Sequence, residues 1–414
     1  MANRKVIIVG GGPAGLMAAG QVAQRGIHAH LFEKMPRPGR KLSITGKGRC
    51  NITNAAPLHD FITHFGANGD FLRQAFGRFF TPDLTRFFQE RGLELVTERG
   101  GRVFPATGKA TDVRDALVRW IKHNGAKIHS SSPVDDILIH DGAVTGVITG
   151  ATRVLCDAVI LTTGGASYPA TGSTGDGYRL AERAGHPIVP IRPALVPLET
   201  AGHTAERLGG LNLRNIHLRM MVKGKQHAEA FGEMLFTPFG VDGPVTLALS
   251  GEAVDLIRAG QGITLSVDLK PALDPGKLDA RLLRDISKRG KEPVSSFLRG
   301  LLPRPLIPVC LDMINIPAHR RVSEITADER KCLRMWLKDF RLDVTGHRPI
   351  NEAIITAGGV DTKEIDPRTM ASRRIRGLFM AGELLDIQAD TGGYNLQAAF
   401  STGWLAGRSA ARET

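Results

Sequence analysis

Cysteine is scarce in this chain of 414 residues, and what there is does not cluster. Cys50, Cys156, Cys310 and Cys332 are widely spaced with no CxxC pair, which excludes a disulfide framework, a zinc site of the finger type and dithiol redox chemistry. No metal site is expected, and a reducing cytoplasm suits this usage. Long apolar runs are lacking too. None approaches the roughly 18 residues that cross a bilayer, so no membrane span is expected. The apolar part of MANRKVIIVGGG is too short for a signal peptide. With 3 Trp and 3 Tyr, an extended base-stacking platform is not expected either. Acidic residues fall short of basic ones, 41 against 54, which leaves a net charge of +13. Between Gly276 and Pro349 there are sixteen Lys and Arg against nine Asp and Glu. Such an excess either recruits a polyanion or serves only solubility and the attraction of anionic cofactors.

Glycine is abundant, and its first cluster is the most informative stretch of the chain. KVIIV, Lys5 to Val9, reads as a buried strand and runs into GGGPAG at Gly10 to Gly15. A helical pattern, LMAAGQVAQRG, follows, then a second strand, HAHLFEK, which reaches Glu33. This is the dinucleotide fingerprint in its full setting. Gly10 lets the chain turn, Gly12 lets backbone approach a pyrophosphate, and Gly15, beside Ala14, lets helix and strand pack closely. The helix N-terminus directs free N–H groups and partial positive charge at the phosphates. Glu33, with Lys34 after it, stands where a carboxylate accepts from a ribose hydroxyl.

Along the rest of the chain the pattern runs α/β, then β, then α, then α/β again. A long polar loop is expected from Gly39 to Asn54 and helices near Phe71–Phe80 and Pro82–Gly92, with a further helix ending at Gly125. A β-meander is expected over Val134–His140, Ala143–Thr149 and Val154–Thr162, turning at Asp141-Gly142. Alternating patterns at Asn212–Gly224 and Gly262–Leu269 predict a separate antiparallel unit. Lys277–Phe340 reads as short helices punctuated by prolines, and the tail closes with a helix from about Asn395 to Arg408.

Three blocks, GRKLSITGKGRCNITN, LTTGGASYPATGSTGDGY and the C-terminal NEAIITAGGVDTKEIDPRTM…GLFMAGELLDIQADTGGYNLQAAFSTGWLAG, resemble the signature blocks of the YhiN/BaiN-like FAD-dependent flavoproteins, also called aminoacetone-oxidase-like. The resemblance implies a Rossmann-type α/β FAD-binding domain assembled from both chain ends, residues 1–195 and 346–414. It implies an inserted antiparallel β subdomain at 196–275, with a strand near 341–348, and a small basic helical subdomain at 276–340. It also implies cofactor contacts. Glu383, after Gly382, stands where such flavoproteins reach ribityl or pyrophosphate oxygens; Val134 resembles the position whose backbone reads the adenine edge; Thr163 and Gly164 belong to the second block.

The chemistry of these blocks adds expectations of its own. A reduced flavin carries negative charge at N1/C2=O, which a helix N-terminus stabilises. GGYNLQAAF supplies one, with Gly392 and Gly393 permitting close approach, Asn395 near the helix start, either as a plain N-cap or in a flavin role, and donors from Tyr394 to Leu396. Arg40 and Lys41 add positive charge beside the phosphates or form an exposed basic loop. Cys50 is either a general acid beside the flavin or a small residue closing a tight loop.

The chain departs from the family in LFTPFGVDGPVTLALS: Pro238 stands in place of a usual His and Asp242 in place of a Ser, so no role carries over there. No second GxGxxG exists, so NADH or NADPH is expected only as a transient donor. Three readings remain. One is a reductase of an activated C=C bond in ribosomal RNA, since the family includes enzymes linked to dihydrouridine formation; Arg281, Arg284, Lys288 and Arg289 would then bind phosphates. The second is an oxidoreductase of a small enone or amine, and the third a flavin-loaded binding protein.

Overall fold

The computed structural model describes residues 4–412. Packing divides the chain into two units: one runs up to Ala194 and resumes at Ile350, and the other spans Leu195–Pro349. The expected boundaries of 195 and 346 lie one and four residues from these.

The first unit is built on a five-stranded parallel sheet. Its order is Leu378–Met380, Ala158–Leu161, Lys5–Val9, His28–Glu33 and Lys127–Ser130. The inner strands AVIL and KVIIV are near-continuous apolar runs and HAHLFE is mostly buried, because the sheet is covered by the Pro13–Ala23 helix and by the Ala143–Thr149 strand packed against Ala158–Leu161. The Pro13–Ala23 helix buries ten of its eleven residues, packing against the sheet and the C-terminal Tyr394–Ala410 helix. This C-terminal helix carries the chain end back onto the first strand's layer, so both chain ends share one core.

Two expectations are corrected here. The run Val154–Thr162 is not one strand. Thr152–Leu155 completes the meander with Asp136–His140 and Ala143–Thr149, whereas Ala158–Leu161 pairs in parallel with Lys5–Val9. The four fully buried residues AVIL suit the interior of a covered sheet, while the exposed TRVL suits an edge. The segment Gly39–Asn54 is not only loop: it holds the short Arg40–Ile44 helix and a two-residue strand, Thr53–Asn54.

The second unit contains a closed six-stranded antiparallel barrel. The order is Leu198–Thr200, Gly240–Asp242, Lys225–Thr237, Asn212–Val222, Ile263–Asp268 and Phe340–His347, the last pairing back to the first. Closure removes the sheet edges that alternating strands would otherwise leave unpaired. Helices Pro275–Arg289, Val294–Leu298, Leu306–Ile314 and Ala327–Lys338 follow the fifth strand. The helices of the stretch 276–340 pack on the barrel: Leu278, Leu282, Phe297 and Leu333 share one apolar cluster with its Leu265, Val267 and Phe340. Among the described residues no helix is long and apolar enough to cross a membrane.

Candidate functional site

The fingerprint glycines divide into those the protein itself requires and one it does not. Gly10 has φ 102°, and a Cβ there would stand 2.6 Å from the Thr162 carbonyl oxygen. A Cβ at Gly15 would stand 1.9 Å from the Gly10 carbonyl oxygen, so strand and helix touch backbone to backbone. Gly12 is the N-cap of the Pro13–Ala23 helix, with φ −74° and ψ −174° that any residue adopts. A Cβ at Gly12 would meet nothing within 4 Å. No protein atom explains a glycine there; a ligand lying on the helix N-terminus does.

Other polar groups around this turn have no protein partner. Thr163 Oγ1 is buried without a hydrogen bond. Neither backbone group of Val134 is bonded among the described residues, although the residue is buried. At the start of the Tyr394–Ala410 helix the first intrahelical N–H is that of Gln397, to the Gly393 carbonyl at 3.1 Å, which leaves the donors of Tyr394, Asn395 and Leu396 unused. Gly164, at φ 74°, follows Thr163. Free donors, an open cradle and unpaired backbone of this kind fit an adenine dinucleotide.

Glu33 is nearly buried, and its two oxygens accept from Gly11 N–H at 2.7 Å and Met35 N–H at 2.8 Å. Burial pushes its carboxyl above the ordinary value, opposed by those two N–H groups and by Lys34 and Arg40. Each oxygen keeps a second lone pair for a ribose hydroxyl. Gly11, not singled out from the sequence, is glycine because a Cβ would stand 2.8 Å from Glu33 Oε2.

The cations expected beside the phosphates are mostly spoken for. Lys34 bonds to Thr174 and pairs with Asp176 at 2.5 Å, and Lys41 pairs with Glu383 at 2.9 Å and donates to Ser167 Oγ at 2.8 Å. The Glu383 carboxylate, after Gly382 (φ 76°), also accepts from Thr356 N–H at 2.9 Å. Only Arg40 remains exposed and unpaired. Lys41 and Glu383 thus form one ion pair, anchored by Ser167 and Thr356. Thr356 lies 27 residues from Glu383 in sequence and carried no signal of this contact.

Asn395 is not an N-cap. Gly393 caps the helix, and the Asn395 side chain accepts from Ala389 N–H and donates to the Ala389 and Asp390 carbonyls, fixing the preceding turn. Gly393, at φ 101°, lies against Thr53, whose carbonyl would be 2.5 Å from a Cβ; the close approach is to protein backbone.

Cys50 is corrected most. It is 0% exposed, sits at φ 60°, and burial pushes its thiol up to about 12. A side chain sealed in the core cannot reach a substrate carbon, so its part is to close the turn in which its N–H bonds to the Thr45 carbonyl at 2.9 Å.

In the second unit, Pro238 and Asp242 lie at a barrel corner, and Asp242 accepts from Gly243 N–H at 2.6 Å, at the start of the Pro244–Arg258 helix. Of the four candidate phosphate binders on the Pro275–Arg289 helix, Arg284 and Lys288 are exposed one turn apart. Arg281 faces Asp285 at 3.5 Å. Arg289 is a structural clamp rather than a free cation: it grips Glu292 with two nitrogens and caps the carbonyls of Ser296 and Phe297.

Known proteins match nearly the whole length of this chain. A family model, the HI0933-like protein Rossmann domain, matches residues 4–409. The chain is 31% identical over 411 residues to the 3-dehydro-bile acid delta(4,6)-reductase of Clostridium scindens, covering 98% of this chain and 99% of that protein. It is 29% identical over 417 residues to the ribosomal RNA dihydrouridine synthase of Haemophilus influenzae, covering 98% of each. In fold it resembles the crystal structure of 3-ketosteroid delta1-dehydrogenase from Sterolibacterium denitrificans, with TM-score 0.54, 12% identity and 99% of each chain covered. With the fingerprint cradle, the unpaired donors and the two-ended α/β unit in place, the chain belongs to the HI0933-like Rossmann-domain family and is an FAD-dependent oxidoreductase.

Proposed function

We propose that the protein saturates the activated C=C bond of a uridine in ribosomal RNA, forming dihydrouridine, with NADH or NADPH as a transient electron donor. The observation that carries the RNA reading is the distribution of unpaired charge in the second unit. Of the sixteen Lys and Arg between Gly276 and Pro349, nine form ion pairs. The other seven, Arg284, Lys288, Lys291, Arg299, Arg304, Arg321 and Lys331, are all exposed and make no ion pair or side-chain hydrogen bond among the described residues. Arg321 bridges to Pro293, and Lys291 stands two residues before Pro293, just past the C-terminal end of the helix that carries Arg284 and Lys288. Exposed cations left without a partner are what a polyanion recruits.

The cofactor-holding roles follow from the first unit. The Gly12 turn and the helix N-terminus behind it would take the pyrophosphate, Glu33 a ribose hydroxyl, and the Val134 backbone the adenine edge. The N–H groups of Tyr394, Asn395 and Leu396 would face the C2=O edge of the ring system, where a helix dipole favours negative charge. Lys41, neutralised by Glu383, would act on the cofactor through the position of that carboxylate rather than as a bare charge. Bound FAD, once reduced, supplies a hydride to an electron-poor carbon. A small enone is the second reading, favoured by the bile-acid reductase relative, and both readings share saturation of a C=C bond conjugated to a carbonyl.

The test is to map dihydrouridine in ribosomal RNA from the source organism with and without the gene. Loss of one dihydrouridine in large-subunit RNA, restored by the wild-type gene, is the expected result. Unchanged RNA together with turnover of a 3-oxo-Δ4 steroid by the purified protein would move the assignment to the small enone.

A further inference from the structure

Saturating a C=C bond next to a carbonyl takes a proton as well as a hydride, and none of the groups described so far supplies it. Pro238 offers no titratable atom, and the Cys50 thiol is sealed in the core. One imidazole in the first unit is placed for the task. His64 follows the Leu58–Thr63 helix, and its Nδ1 lies 2.9 Å from Asp390 Oδ2. Its ring lies flat on that of Tyr394, with centroids 3.8 Å apart and planes at 21°. Tyr394 is the first residue of the helix whose N–H groups are unused, and it is itself wedged edge-on against Phe61 at 4.7 Å. A Cβ at Gly392 would stand 2.6 Å from the Tyr394 ring, so this glycine makes room for the stack. Asn395 ties down the Ala389–Asp390 backbone that carries the carboxylate. The His64 side chain is 31% exposed and that of Asp390 49%, so both reach water. A carboxylate-held imidazole, stacked on the ring of the tyrosine that opens the helix, is a constrained and solvent-reachable proton carrier.

We propose that His64, oriented by Asp390 and seated on Tyr394, is the proton donor of the reduction. The proposal rests on the C=C reductase reading and adds the acid to it. Asp390 can only accept, so Nδ1 carries the shared hydrogen and Nε2 is the working atom. In the step, the N–H bond at Nε2 breaks and a C–H bond forms at the carbon next to the carbonyl, using the electron pair of the C=C bond. The carbon one bond further gains its hydrogen as hydride from reduced flavin, so the substrate gains two electrons and the flavin loses two. The imidazole, left neutral, is reprotonated by water.

The test uses FAD-loaded wild type, His64→Gln and Asp390→Asn, with two readouts. Without any substrate, the visible spectrum and midpoint potential of bound FAD are compared. A donor standing over the reacting edge perturbs the ring, so both variants are expected to shift the spectrum and potential while keeping full flavin content. Next, the anaerobically reduced proteins are mixed with a uridine-containing ribosomal RNA fragment or with a 3-oxo-Δ4 steroid. Reoxidation is expected to slow about 10²-fold in His64→Gln and less in Asp390→Asn, which keeps the imidazole. Wild-type flavin properties in His64→Gln would overturn the proposal even if no substrate turned over. Failure of both probes to reoxidise the wild type, with the spectral shift present, would instead remove the C=C reading and leave His64 beside the ring. Should His64→Gln not fold, His64→Asn and Asp390→Asn carry the same comparison.

Discussion

Cys50 shows how far one side chain's surroundings can override its chemistry. It occupies a left-handed backbone position at φ 60°, which costs a non-glycine residue on the order of 1 kcal/mol, and its sulfur has no path to water. Burial holds the thiol neutral up to about 12, against an ordinary 9.0. The neutral form is the one the fold favours, so its stabilising contribution is complete below pH 9 and is lost as pH rises through 12. Cys310 is buried and shifted in the same direction, whereas Cys332 is exposed. Brief treatment with iodoacetamide at neutral pH should therefore alkylate Cys332 and spare Cys50 and Cys310 until the protein is unfolded, read by peptide mass spectrometry. Cys50→Ala should also keep flavin reduction within about twofold of wild type. Modification of Cys50 in the native protein would show that its seal is not real.

At the scale of elements, the strand–turn–helix at the start of the chain separates folding from cofactor binding by three residues. Gly12→Ala adds a methyl group where no protein atom lies within 4 Å, and Ala in place of Gly at an N-cap costs on the order of 1 kcal/mol, a small shift for a unit of this size. The apoprotein should melt within about 2 °C of wild type, while FAD affinity falls about tenfold or more, roughly 1.4 kcal/mol. Gly15→Ala places a methyl group 1.9 Å from the Gly10 carbonyl, so the expected outcome is loss of soluble folded protein. Thermal melts and flavin content of the two variants decide the matter. Unchanged FAD affinity in Gly12→Ala would mean that the open space over that residue is not the pyrophosphate cradle. The strand–turn–helix spacing was legible in the sequence because it is local, whereas the bond from Gly11 N–H to Glu33 was not. The Lys41–Glu383 pair was not, because a lysine on one short helix and a glutamate 342 residues later meet only once the chain has folded.

For the molecule as a whole, the net charge of +13 does not by itself say which cations are available. Nine of the basic residues in the Gly276–Pro349 stretch are neutralised internally, and ion pairs of that sort cannot also hold phosphates without breaking. The seven free ones set the expectation for RNA. Replacing Arg284, Lys288, Lys291 and Arg321 together by Glu should weaken binding of a ribosomal RNA fragment and flatten its salt dependence, by about 0.7 in log–log slope for each lost single-strand contact, with the flavin spectrum unchanged. Arg289→Ala should behave differently, lowering stability by about 1 kcal/mol through the lost clamp on Glu292 and the Ser296 and Phe297 carbonyls, with little effect on the salt slope. Filter binding across a salt series, paired with denaturant melts, separates the two. A slope unchanged in the fourfold variant would argue against this surface as the RNA contact.

The sequence alone determined the dinucleotide-binding turn, because glycine spacing, an acidic residue after the second strand and apolar runs act over short distances; the α/β unit made from both chain ends was implied by the resemblance of its blocks to a flavoprotein family. It also located the alternating strands Asn212–Val222 and Ile263–Asp268, since period-two patterning follows directly from strand geometry. Tertiary structure decided everything that depends on a partner far along the chain. It chose which half of Val154–Thr162 joined the parallel sheet, closed the barrel, merged the helices with its core, neutralised Lys34 and Lys41, turned Arg289 inward and sealed Cys50. It also brought His64 to Asp390, 326 residues away. Charge and nucleophile candidates are named by their side chains, but burial and pairing fix what those side chains can do, and both are set by contacts that no local pattern encodes.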